Sequence, residues 1–246
     1  MIYFFFFFQA EDGIRDLVRS RGLGDVYKRQ IQTSLHNELK ERKKTKTLHE
    51  SNIELSDHHL IFCQHSHVYT LGKSGDISHL LLDTEGLTEK GVEYFKINRG
   101  GDITYHGPGQ ITGYPILDLE CFYTDVHRYV REIEEVIIQT LDFYQIKGIR
   151  IPAYTGVWVE DIHQEGQFRK ICAIGVHLSR WVTLHGFAFN VNTDLKYFDH
   201  IIPCGIEETN LSVTSLQREL GRQVDIFDVS EQLKTQFEKI FKFKII

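Results

Sequence analysis

Proline is scarce in this 246-residue chain, at four residues, and methionine occurs only once. With no proline- or serine-rich stretch to act as a linker, the sequence reads as one domain rather than several. Long apolar runs are also missing. Phe4 to Phe8 is followed at once by Gln9 and acidic residues, too short to span a bilayer and without the flanks of a secretion signal, so no membrane partner is expected. A basic excess is absent, the net charge being −6, which argues against a general binder of phosphate backbones and against a nucleic-acid partner. The four cysteines, Cys63, Cys121, Cys172 and Cys204, show no CxxC spacing, so free thiols in a reducing cytoplasm fit best. His58, His59, His65 and His67 form a dense cluster, but no Cys or carboxylate sits beside them at ligand spacing and no metal is expected. Gly72-Lys73-Ser74 resembles the end of a phosphate loop, yet the glycine needed five places earlier is His67.

What is present is globular, 41% hydrophobic and 25% charged, enough for an α/β or α+β domain with a real core. Strands are expected at Leu60 to Cys63, Tyr94 to Ile97, Tyr114 to Leu117, Val157 to Val159, Ile171 to Leu178 and Val182 to Val191. A helix should run from about Asp125, its cap, to Tyr144, with Val126, Tyr129, Val130, Ile133, Val136, Ile137 and Leu141 on one face. A second should begin near Asp228, with Glu231 completing a capping box and Val229, Leu233, Phe237 and Ile240 facing inward. Within that one domain, the chain from about Leu211 onward reads as a C-terminal subregion. The basic run Lys40 to Lys46 reads as a solvated helix end or loop in preference to a docking patch for an acidic carrier.

The densest signal is Arg99-Gly100-Gly101-Asp102-Ile103-Thr104-Tyr105-His106-Gly107-Pro108-Gly109-Gln110. Four glycines and a proline in this run dictate the backbone while Arg, Thr, Tyr, His and Gln supply polar chemistry, as in a rigid shelf that another molecule approaches closely. Arg169-Lys170-Ile171-Cys172-Ala173-Ile174-Gly175-Val176, Trp181 to Asn192 and Ile201-Ile202-Pro203-Cys204-Gly205-Ile206 follow in order. Together, from about Leu60 to Leu216, these segments resemble the lipoyl/octanoyl transferases, and several motifs agreeing in order is more specific than one glycine-rich loop.

The resemblance implies an α+β fold, a biotin/lipoate ligase-like mixed sheet with flanking helices. It implies transfer of an octanoyl or lipoyl group from acyl carrier protein to a lysine of lipoyl domains, those of 2-oxoacid dehydrogenases and the glycine cleavage H protein, through a cysteine thioester. Cys204 is the implied nucleophile. Pro203 and Gly205 hold it in a tight turn, although buried structural thiol is the commoner role of an isolated cysteine. Lys170 is the implied cation, with Arg169 able to add to its field, although a lone lysine at a strand start is ordinarily solvated. The acyl chain is expected against Arg99, Gly100, Gly101, Asp102, Ile103, Thr104, Tyr105 and His106, against Ala173, Ile174 and Gly175, and against Gly186, Phe187 and Ala188. His106 and His185 could donate to the thioester carbonyl or order the pocket. Ser66 stands where the family often has proline, which loosens a turn without touching the chemistry. No cofactor is implied, since a thioester is already activated.

Three rival readings remain: an ATP-dependent lipoate- or biotin-type ligase, a non-catalytic protein that binds acyl carriers or lipoyl domains, and a cysteine hydrolase using Cys204 and His185. The start of the chain stands apart. Gln9 to Asp16 and Ser20 to Gln30 are what sequencing-library adapters become when translated, so residues 1–30 are expected to be adapter-derived and non-native. Residues 31–246 are then a single catalytic domain behind an ill-packed N-terminus.

Overall fold

The structure is a computed structural model and describes residues 2–7, 24–46, 58–152, 154–162, 164–202 and 210–245. A large mixed sheet carries, in spatial order, β1 (Ile2–Phe7), β2 (His58–Cys63), β6 (Gln110–Ile116), β10 (Val182–Asn190), β9 (Phe168–Ser179), β8 (Tyr154–Glu160) and β7 (Gly148–Ile151). The strand β11 (Leu211–Val213) runs parallel to the start of β9, so it takes over along that strand where β10 leaves. A smaller sheet of β4 (Glu93–Lys96), β3 (Val68–Leu71) and β5 (Ile103–His106) stands beside it. The helices are α1 (Gly24–Lys46), α2 (Thr84–Glu89), α3 (Val126–Phe143), α4 (Leu216–Leu220) and α5 (Ile226–Phe241). This is the α+β arrangement expected, a mixed sheet with flanking helices.

α3 begins where its cap predicts: Asp125 accepts a hydrogen bond from Arg128 N at 3.0 Å, and Tyr129, Ile133, Val136, Ile137 and Leu141 are buried along one stripe. α5 starts earlier than its sequence suggests. Asp225, not Asp228, is the cap, accepting from Phe227 N at 2.7 Å, while Asp228 lies inside the first turn. Both positions favour a carboxylate, one for capping and one for the helix dipole, so the acidic signal alone does not choose between them. α3 and α5 cover one face of the large sheet and share a core with Leu60, Phe62, Ile111, Val157, Ile171 and Phe189. Leu216 and Phe237 belong to that same core, so no separate subregion begins at Leu211.

α1 covers part of the opposite face, seating Ile31, Leu35 and Leu39 on Ile61, Ile116 and Val182. The basic run is the end of this helix: Lys43 pairs with Asp118 and Glu120, each at 2.9 Å, and is half-buried, not solvated, while the exposed Lys44 pairs with Glu41. The N-terminal segment is more ordered than expected. β1 pairs with β2 over six residues in parallel. β2 would otherwise present an open edge, and an edge recruits any strand-prone backbone whatever its origin.

Four short strands, β3, β5, β7 and β11, were not expected, and β5 interrupts the glycine-rich run that reads as a continuous shelf. Strands of three or four residues carry too few side chains to display alternation.

Candidate active site

A cavity of about 150 Å³ lies between the two sheets and under α1. Its large-sheet wall is made of Lys170, Ala173, Gly175, Gly186 and Ala188, and its small-sheet wall of Val68, Thr70, Phe95, Ile97, Thr104 and His106. The small residues let backbone approach backbone. Gly100 N donates to Val176 O at 3.1 Å, and a Cβ on Gly175 would stand 2.7 Å from Gly100 O, so a side chain there would push the glycine-rich run off β9.

Lys170 reaches the cavity because β9 is irregular. Side chains alternate along a strand, so positions 170 and 173 would ordinarily face opposite sides. The β8–β9 register jumps, with Trp158 opposite Lys170 but Val157 opposite Cys172, which leaves Ile171 as an extra residue. This bulge turns Lys170 to the face of Ala173 and Gly175. The lysine is only 6% exposed, and its ammonium lies 4.6 Å from the centre of the Trp158 ring, a cation–π contact. Among the described residues no carboxylate pairs with it. Arg169 goes the other way, to Asp161 and to Glu219 at 3.0 Å, so its charge is spent on structure and adds nothing to the cavity.

Of the glycine-rich run, Arg99, Gly101, Thr104 and His106 line the cavity. Ile103 and Tyr105 alternate away from it into the core of the small sheet, and Asp102 is held by His79 and by Ile103 N. Gly100 contributes its backbone to β9 rather than a cavity surface. Arg99, 9% exposed, donates to Thr70 O and Asp102 O, each at 2.6 Å, and so fastens the run to β3.

His106 is engaged at both ring nitrogens, with Gln110 Oε1 at 2.8 Å from Nδ1 and Thr70 Oγ1 at 3.3 Å from Nε2. Gln110 continues to Asn190, and Asn190 to Thr214 O at 3.0 Å, so a polar chain crosses from the small sheet to β11. Thr214 N in turn donates to Lys170 O. Of its two expected roles, ordering the pocket fits His106 better, because neither nitrogen is left for a carbonyl. His185 lines the same cavity on a left-handed backbone, φ 62°, a conformation that marks strain in a non-glycine residue. Burial first, then Arg99, His177, Arg29 and His36, push its pKa down to about 3, so it is a neutral imidazole.

Cys204 lies outside the described residues. The described chain on either side is anchored close to the cavity's surroundings: Ile202 N donates to His79 O at 2.9 Å, and Asn210 O accepts from Phe168 N, two residues before Lys170. Cys172 is buried, and burial raises its pKa well above the ordinary thiol value. Cys63 is also buried; desolvation opposes its ionisation, but His65 and Lys28 outweigh that and hold its pKa down. Neither lines the cavity. Cys121, at the end of a short 3-10 turn, is exposed.

The family described as the lipoyl protein ligase A/B catalytic domain matches residues 30–238. The chain belongs to this family. Its relatives include the octanoyltransferase of Christiangramia forsetii, 54% identical over 188 residues covering 76% of this chain and 79% of the relative. The octanoyltransferase of Cytophaga hutchinsonii is 48% identical over 231 residues, 93% of each chain. The bipartite lipoate protein ligase of Thermoplasma acidophilum superposes with a TM-score of 0.66 at 14% identity, covering 100% of this chain and 86% of that one, a likeness of fold. No described helix is long and apolar enough to cross a membrane, and no described cluster of His, Cys, Asp and Glu could hold a metal.

In this family member the structure brings together Lys170, Ala173, Ile174, Gly175, Gly186, Phe187 and Ala188 with Arg99, Gly101, Thr104 and His106. Sequence reasoning missed Gln32, His65, Phe95, Ile97 and Tyr114. These come from α1, β2 and its exit, β4 and β6, and nothing in their local pattern distinguishes a cavity-lining residue from a core one.

Proposed function

We propose that Cys204 and Lys170 carry acyl transfer at this cavity in two thioester-based steps, with octanoyl-acyl carrier protein as donor. The protein is an acyltransferase that moves an octanoyl group in protein lipoylation, with lipoyl domains as acceptors. The observation that carries the mechanistic reading is the buried Lys170 ammonium, turned by the β9 bulge onto a wall of small residues.

In the first step the Cys204 thiolate adds to the octanoyl carbonyl, the bond to the carrier's sulfur breaks, and that sulfur leaves as a thiol after taking a proton. In the second, the acceptor lysine's neutral amine adds to the new thioester, loses a proton, and expels the Cys204 thiolate. An ordinary cysteine is only a few per cent ionised at neutral pH, so a nearby ammonium that pairs with the thiolate raises the reactive fraction. Lys170 supplies that cation, returns a proton to the departing thiol and receives one from the incoming amine. Thioester to amide runs downhill, so no ATP is needed. Each methylene buried in the slot contributes about 0.8 kcal/mol, so the alkyl chain itself holds the donor in place.

We read residues 31–246 as one catalytic domain, in keeping with a family match to residues 30–238. A cytoplasmic location fits the free thiols. The deciding measurement is intact mass after mixing with octanoyl-acyl carrier protein. An octanoyl adduct on Cys204, absent in Cys204→Ser and discharged by apo lipoyl domain, is the expected result. Modification of the acceptor by Cys204→Ala with ATP and free octanoate would establish a ligase instead.

A further inference from the structure

Besides Lys170, the cavity lining includes polar side chains that an alkyl chain does not need. Gln32 lines the cavity while only 5% exposed, and among the described residues its buried Oε1 has no hydrogen-bond partner. Positions 32 and 36 of α1 share one helix face, His36 acts on His185, and Gln32 and His185 line the same cavity, which places Gln32 toward His185. His185 pairs with Val176, six residues along β9 from Lys170. An unpaired carboxamide oxygen, neutral imidazole beside it, is a costly thing to seal behind hydrocarbon, since a buried acceptor without a donor loses its hydration uncompensated.

We propose that Gln32 is a specificity-determining residue that sets acyl length by closing the cavity with a polar end wall. The inference rests on the reading that the acyl chain lies in this cavity. A chain that stops short of Gln32 leaves its carboxamide a water. A chain one methyl longer strips that water and leaves the oxygen unpaired. A chain of the same length ending in a hydroxyl restores the hydrogen bond, and because a hydroxyl both donates and accepts, it does so whichever way the carboxamide is turned.

The test uses an isosteric pair. Octanoyl-, nonanoyl- and 8-hydroxyoctanoyl-acyl carrier protein compete in one mixture for the full chain, and the masses on Cys204 give the relative loading rates. Competition within one sample makes the ratio independent of how much protein is folded. The wild-type protein should load 8-hydroxyoctanoyl over nonanoyl by about tenfold, the scale set by one unmade buried hydrogen bond. Gln32→Leu and Gln32→Met should reverse that order. Loading of all three acyl groups with the same ratio in wild type and variants would overturn the role of Gln32 alone. No adduct on Cys204 from any donor would overturn the proposed reaction and this inference with it.

Discussion

The two faces of the large sheet use the same strands for opposite ends. Against α3 and α5 the strands present an apolar, aromatic-rich surface on which Phe62 and Phe187 meet Phe237 of α5 ring to ring, and Phe237 stacks on Phe241 of the same helix. On the other face the same strands carry Lys170, Gln110, Thr112, Asn190 and His185, and α1 covers only part of it. One face is filled; the other keeps a cavity and polar groups that cost stability wherever they lack partners. The difference teaches that a filled face and a cavity face are separated here by alternation along a strand, with two exceptions: Lys170, which the β9 bulge moves across, and His185, two residues before Phe187, which lines the cavity from a left-handed backbone.

Four substitutions or conditions would break or sharpen this contrast. Lys170→Ala should lower the rate of acyl loading by about 10²–10⁴-fold, while denaturant unfolding shows the helical face intact. A variant that loads normally would remove Lys170 from the chemistry. Phe237→Ala, on the filled face, should cost about 3–5 kcal/mol by urea denaturation, leaving the loading ratio among acyl donors unchanged. A shift in that ratio would mean that the faces are coupled.

The third effect is pH dependence. His185 has its folded pKa pushed down to about 3, below the unfolded value of 6.5, so the unfolded state takes up the proton first. Its contribution is fully present above pH 6.5 and is lost as pH falls from there toward 3. Stability at pH 5 should be lower than at pH 7 by at most about 2 kcal/mol from this group. His185→Asn, which tolerates the left-handed backbone, should flatten that dependence; an unchanged slope would assign it to other groups. The smallest effect concerns the end of α1. Lys40→Ala with Lys44→Ala should change KM for acyl carrier protein by less than about threefold, as expected for exposed and screened charges. A larger rise would make the basic run a docking surface.

Much of the helical face was legible in the sequence. The stripe from Tyr129 to Leu141 repeats at helical spacing, and Asp125 caps it, because a helix encodes its buried face in local order. The long strands β9 and β10 were legible for the same kind of reason. Much of the cavity lining was legible as a set of residues, since ordered motifs named Lys170, part of the glycine-rich run and the small residues of β9 and β10. Several details were not. Asp102 and Tyr105 belong to the motif yet turn from the cavity, and Arg169 is tied to Glu219, whereas Gln32, with no motif, lines the cavity.

The sequence by itself determined the family, the fold class, the main amphipathic helices and the chemical cast, because composition, periodicity and ordered motifs are properties of the chain. Only the tertiary structure decided which members of that cast face one another. The register jump at Trp158 and Lys170 and the close approach of Gly100 to Gly175 depend on pairing between distant segments. So does the packing of α1 that brings Gln32 to the cavity, and a residue's own neighbours in the chain carry no record of it.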